Sequence, residues 1–135
     1  MKTILFFLAC SLFSSLASAQ ESKHSKEPEN VFVRVEVDAQ FPGGDKAWVE
    51  FLTNNLNTEI PIKNKAPKGK YTVVVRFVVS RTGALSDIMC ERDPGYGTCK
   101  EVIRVIKKSG NWLPAQQNGK TVNAYRRQPV TFVVD

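Results

Sequence analysis

The stretch Tyr71-Thr-Val-Val-Val-Arg-Phe-Val-Val79 constrains this chain more than any other. Tyr71, Val73, Val75, Phe77 and Val79 recur at every second position, which puts them on one face of an extended strand. A helix would scatter the same residues around its axis. Ser80-Arg81-Thr82-Gly83 follows as a tight turn, with Gly83 free to take a positive φ. Ala84 to Arg92 reads as a weaker return strand. From Thr98 to Lys108 the period changes. Cys99, Val102, Ile103 and Ile106 stand at helical spacing and predict one apolar stripe. Trp112-Leu-Pro114 then marks a corner and Asn118-Gly119-Lys120 a turn. Val130, Phe132 and Val134 share one face of a last strand.

The segment before Tyr71 is less regular. Val31, Val33, Val35 and Val37 alternate with Phe32, Arg34 and Glu36, which predicts a half-buried strand or an extended arm laid on the domain. Pro42-Gly43-Gly44 breaks the chain. Asp45 then opens a helix, where its charge suits the positive end of the dipole. Trp48, Phe51, Leu52 and Leu56 form its apolar stripe, with both tryptophans of the chain, Trp48 and Trp112, read as core anchors. Asn54, Asn55 and Asn57 weaken this helix, and Pro61 is expected to end it. Asn64 to Gly69 reads as a basic loop. The expected architecture is α+β: a small antiparallel sheet, hairpin plus C-terminal strand, with two helices packed on it. Thr72, Arg76, Asp87, Glu91, Asn123 and Arg127 are expected to face away from the core.

The N-terminus reads as a secretory signal. Lys2 is its positive region, Ile4 to Leu16 its apolar stretch, and Ala17-Ser18-Ala19 its cleavage site. This gives a signal over 1–19, a flexible leader over 20–30 and one domain over 31–135. An uncleaved anchor is a weaker reading, because Ser11, Ser14 and Ser15 interrupt a stretch already shorter than the ~20 apolar residues of a span. A lipoprotein signal ending at Cys10 is weaker too, because Phe7-Leu8-Ala9 is a poor match and Cys10 comes early. Cleavage places the protein in the periplasm with no membrane span. It leaves two cysteines, Cys90 and Cys99, which in an oxidising compartment have only each other to pair with. Such a bridge closes a short loop and contributes roughly 2.5–3 kcal/mol in the chain-entropy model.

The formal net charge of +6 suits anionic envelope partners or a plain solvated basic surface. Nucleic acid is not expected, since no basic patch is interleaved with aromatics. Catalysis is not expected either. The only histidine, His24, lies in the leader, so no serine or threonine of the domain has a histidine base. Asp87, Glu91 and Asp93 cluster near the hairpin end, with Arg92 and Lys100 beside them as ordinary ion-pair partners. No cofactor or metal is expected.

In order, these pieces resemble the C-terminal domain of the TonB family, in the form common among short periplasmic proteins of Bacteroidetes-type bacteria. Phe41-Pro42-Gly43-Gly44 opens a helix as in that family. Ile60-Pro61 stands where the family usually carries Tyr-Pro. Val73 to Val79, Gly83 and Ser86-Asp87-Ile88 match its hairpin. Trp112-Leu113-Pro114-Ala115, Asn118-Gly119-Lys120 and Val122 match its corner, and Pro129-Val130-Thr131-Phe132 its last strand. The resemblance spans about Val35 to Asp135. It implies a module that binds an extended segment, the TonB box, of an outer-membrane TonB-dependent transporter or another envelope protein. The partner would add a strand to an open sheet edge. That edge is expected at Thr121, Val122, Asn123, Ala124, Tyr125, Arg126 and Arg127, with Pro129 and the two arginines also acting to blunt it. Energy transduction is not expected: a leader of this length reaches at most about 40 Å. Ile60 also removes a ring that could touch a partner. The other reading is a secreted structural or inhibitory protein that uses the same fold to bind peptidoglycan or another envelope component.

Overall fold

The computed structural model describes residues 30–135. The signal over 1–19, His24 and nearly all of the leader lie outside the described residues. The fold is α+β. Strand β1 is Val31–Phe32, helix α1 Gly44–Asn55, the one-turn helix α2 Ile60–Lys63 and strand β2 Gly69–Val79. Strand β3 is Leu85–Arg92, helix α3 Thr98–Lys108, strand β4 Ala115–Gln117 and strand β5 Lys120–Val134. The sheet runs β1-β5-β2-β3, with β4 attached to β5. It is mixed, because β1 lies parallel to β5 while every other pair is antiparallel.

The alternation in β2 does what its period dictates. Val73, Val75, Phe77 and Val79 have no exposed surface. β5 lies beside them, from Gly69 opposite Val134 to Val79 opposite Ala124. Helix α3 presents Val102, Val105 and Ile106 to the same core, with Cys99 and Ile103 at its margin. Its last turn carries Lys107 and Lys108, which suit the negative end of the dipole.

The corner and the hairpin turn lock together. The Trp112 N–H donates to the Gly83 carbonyl at 2.9 Å. Gly83 has φ 85°, and a Cβ there would lie 2.1 Å from the Trp112 carbonyl oxygen. Trp112 itself meets Phe77 edge-on at 5.1 Å and Trp48 at 4.9 Å between ring centroids. Phe41 joins them, and Trp48 stacks on Phe51. Both indole N–H groups are satisfied: Trp48 donates to Gln128 Oε1 at 2.7 Å and Trp112 to Ser109 Oγ at 2.9 Å. Gly43, at φ 94°, turns the chain from Phe41 into α1.

Three expectations change. Helix α1 stops at Asn55, before Pro61, and the Leu56 N–H closes it on the Leu52 carbonyl. Pro61 instead opens α2, at a position where its missing N–H costs nothing. The valine alternation at 31–37 does not make a long strand. Only Val31 and Phe32 pair, and Val33 and Val37 are 72% and 48% exposed. The arm reading fits better: the chain leaves β5 at Val33 to bond Gln116 through Val37 and Leu113 through Gln40. Asn123 is buried rather than outward, and its Oδ1 accepts the Arg81 N–H at 2.9 Å.

Candidate functional site

The two helices proper sit on one side of the sheet, so what the sheet can offer a partner is an edge or its other face. The expected edge residues divide. Thr121 and Val122 are paired with Gln116 and Ala115 of β4. Asn123 and Ala124 are paired with Val31 and Phe32 of β1. Those four are therefore not the open edge that the strand order alone suggested, because the arm and the Asn118-Gly119 hairpin reach them first. From Tyr125 to Val134, β5 is paired with β2 along one edge and with no strand along the other, among the described residues. The edge stands, shifted toward the C-terminus, and keeps Tyr125, Arg126 and Arg127.

Where β1 leaves β5, a cleft of about 260 Å³ opens, lined by Val33, Asp38, Arg76, Tyr125, Arg126 and Arg127. Alternation along β5 sends Tyr125 and Arg127 to one face and Arg126 to the other. The cleft thus wraps around the free edge, with the arm as its far wall. Arg76 lies directly across from Arg127 on β2, and its guanidinium sits 4.7 Å over the Tyr125 ring. Glu91 of β3 reaches across β2 to take Arg127 with both carboxylate oxygens, at 2.7 and 3.0 Å. The Arg127 hydrogen bonds hold the Glu91 carboxyl below its ordinary range; burial opposes them, and the charges of Arg127 and Arg76 add to them. The Arg76 Nε stands 3.6 Å from the same carboxylate. Arg126 reaches the other way, 3.9 Å from Asp38 and 3.9 Å from Asp45 at the start of α1.

The remaining sites expected from sequence are structural. Cys90 and Cys99 are bridged, their Cα atoms 6.4 Å apart, tying β3 to the first turn of α3. Phe41, Pro42, Gly43 and Gly44 lead into α1, and Ile60 and Pro61 form α2. Trp112 and Pro114 make the corner, and Asn118 and Gly119 turn β4 into β5 with φ of 51° and 72°. None of these lines the cleft. Arg76, Asp38 and Val33 were not expected there. The one signal for Arg76 was a lone charge inside the most apolar run of the chain. Among the described residues, no group of three or more His, Cys, Asp or Glu could hold a metal ion. No described helix is long and apolar enough to cross a membrane. No family model, curated protein or solved structure matches the chain.

Proposed function

We propose that the chain is a periplasmic binding module of the TonB C-terminal type, and not itself an energised transducer or an enzyme. In this reading it takes an extended segment of an outer-membrane transporter, or of a related envelope protein, as an added strand on β5. The observation that carries it is the unpaired edge from Tyr125 to Val134 beside a cleft of suitable size. Strand addition uses free main-chain donors and acceptors for affinity and side-chain pockets for selection. The other outer strand, β3, is a poorer template. It carries register shifts against β2, and Asp87 in it has φ 49°, irregularities of the kind that blunt an edge. Pro129 removes one donor from β5 and favours pairing at Tyr125–Gln128.

The test is titration of the exported protein with periplasmic N-terminal segments of transporters from the same bacterium, read by amide exchange. Binding should protect alternate amides between Tyr125 and Val134. A segment N-methylated in the register that faces β5 should lose affinity, and one methylated in the other register should keep it. Absence of binding at millimolar peptide, or equal tolerance of both methylation registers, rejects strand addition. Recovery of murein in place of transporters from an outer-membrane extract would favour the structural reading. The export step has its own check: the intact mass of the periplasmic protein should lack residues 1–19.

A further inference from the structure

Met89 of β3 stands directly across from Arg76 of β2, so their side chains share one face of the sheet. Alternation along β2 makes it the face turned away from the buried valines. The Arg76 Nη2 donates to the Met89 Sδ at 3.0 Å, the one side-chain hydrogen bond of Arg76 among the described residues. A thioether sulfur is a weak acceptor. Stronger acceptors are taken elsewhere. Arg127 holds both Glu91 oxygens, at 2.7 and 3.0 Å, while the Arg76 Nε stands 3.6 Å from that carboxylate. The Tyr125 ring meets the guanidinium as a π-face and leaves its N–H donors unused.

The sulfur is also open to small solutes. Met89 is 46% exposed, and with Arg76, Asp87, Ile88 and Tyr125 it lines a second, open hollow of about 410 Å³. Thioethers that oxidants can reach are converted to sulfoxides. Met89 is the single methionine of the domain, the chain's other one being Met1. Cys90 and Cys99 are already bridged, so neither offers a thiol in its place.

We propose that Met89 is a modification site: a peroxide oxidises it to the sulfoxide, and the new oxygen becomes the strong acceptor that Arg76 lacks. With hydrogen peroxide, a sulfur lone pair attacks one peroxide oxygen. An S–O bond forms and the O–O bond breaks. The other oxygen takes up the remaining proton and leaves as water. Sulfur gives up two electrons and the peroxide accepts them. In a packed core a sulfoxide disrupts its surroundings. Here the flexible Met89 side chain borders open space, so its oxygen can turn to the guanidinium without displacing core atoms. Oxidation then ties β3 to β2 more firmly. The proposal needs no added strand and stands apart from the binding function.

The test treats the exported protein with hydrogen peroxide, then maps peptides by mass and records a thermal melt. One oxygen should be added, at Met89. The thermal midpoint should rise by about 4 °C, the scale of one hydrogen bond in a domain of this size. Methionine sulfoxide reductases should reverse both changes. Met89→Gln carries an acceptor oxygen without any oxidant, and should melt above Met89→Leu. Neither variant should respond to peroxide. In Arg76→Leu, Met89 should still be oxidised, but the rise in midpoint should vanish. An unchanged or lowered midpoint on oxidation overturns the proposal. So does a rise that persists in Arg76→Leu, or a Met89 left intact while free methionine in the same solution is consumed. If Arg76→Leu does not fold, the two Met89 variants decide, and equal midpoints for them overturn it.

Discussion

Gly83 has less room for a Cβ than any other described glycine. A methyl group there meets the Trp112 carbonyl, and its φ of 85° is one that side chains resist. Left-handed strain and overpacking together predict that Gly83→Ala loses about 2–5 kcal/mol, readable as a lower urea midpoint. Wild-type stability in that variant would mean that the hairpin and the corner do not touch. Trp48 and Trp112 are anchors of a different kind, with large buried faces and satisfied N–H groups. Truncating either to Ala should cost about 3–5 kcal/mol. Their burial was legible in the sequence: Trp48 stands in the apolar stripe of α1, and Trp112 in the Trp-Leu-Pro corner. Asn123 was not legible. Its polarity argues for solvent, yet the Arg81 amide needs its oxygen. Arg76 was legible only as an outward charge. That it lines a cleft depends on an arm from the other end of the domain, which no local pattern encodes.

Among the elements, the long periodic ones declared themselves and the short ones did not. β2, α3 and most of β5 each bury several apolar residues at one period. β1, α2 and β4 are two to four residues each and exist through what they pair with or follow. The expected end of α1 at Pro61 failed for the same reason: a proline is tolerated in a first turn, and the asparagines had already ended the helix. The β3–α3 bridge should contribute roughly 2.5–3 kcal/mol. Replacing Cys90 and Cys99 together by Ser should therefore lower the thermal midpoint, and an unchanged midpoint would mean the bridge restrains nothing. Helix α3 is tied to the end of α1 by Glu101, which accepts the Asn57 N–H and pairs with Arg104, while Arg104 donates to the Asn55 carbonyl. The Arg104 hydrogen bond leads in holding the Glu101 carboxyl below its ordinary value of 4.5; burial opposes it, and the Asn57 N–H and the Arg104 charge reinforce it. The folded-state value is the lower one. The stabilisation is thus complete above the unfolded value and is lost as pH falls through the folded one. Urea titrations from about pH 6 to about pH 3 should show stability falling, and less steeply in Glu101→Gln. An identical slope in that variant would remove Glu101 from the account.

For the molecule as a whole, the fold class was readable because the order of periods, two for the hairpin, then helical, then two again, allows few packings. A right-handed crossover from the hairpin through the helix puts the last strand beside the first long one, and β5 lies against β2. The free edge was placed a few residues too early. The rule knows nothing of an arm that returns to cover the start of β5. One further consequence concerns time rather than shape. β5 covers one edge of β2 along its whole length, yet it emerges in synthesis after every other described element. Until it arrives, the most apolar strand of the chain has no partner on that side, and the hairpin and α3 cannot close a core by themselves. Pairings that distant in sequence form slowly. A nascent chain of this design stays open until β5 is free to pair with β2.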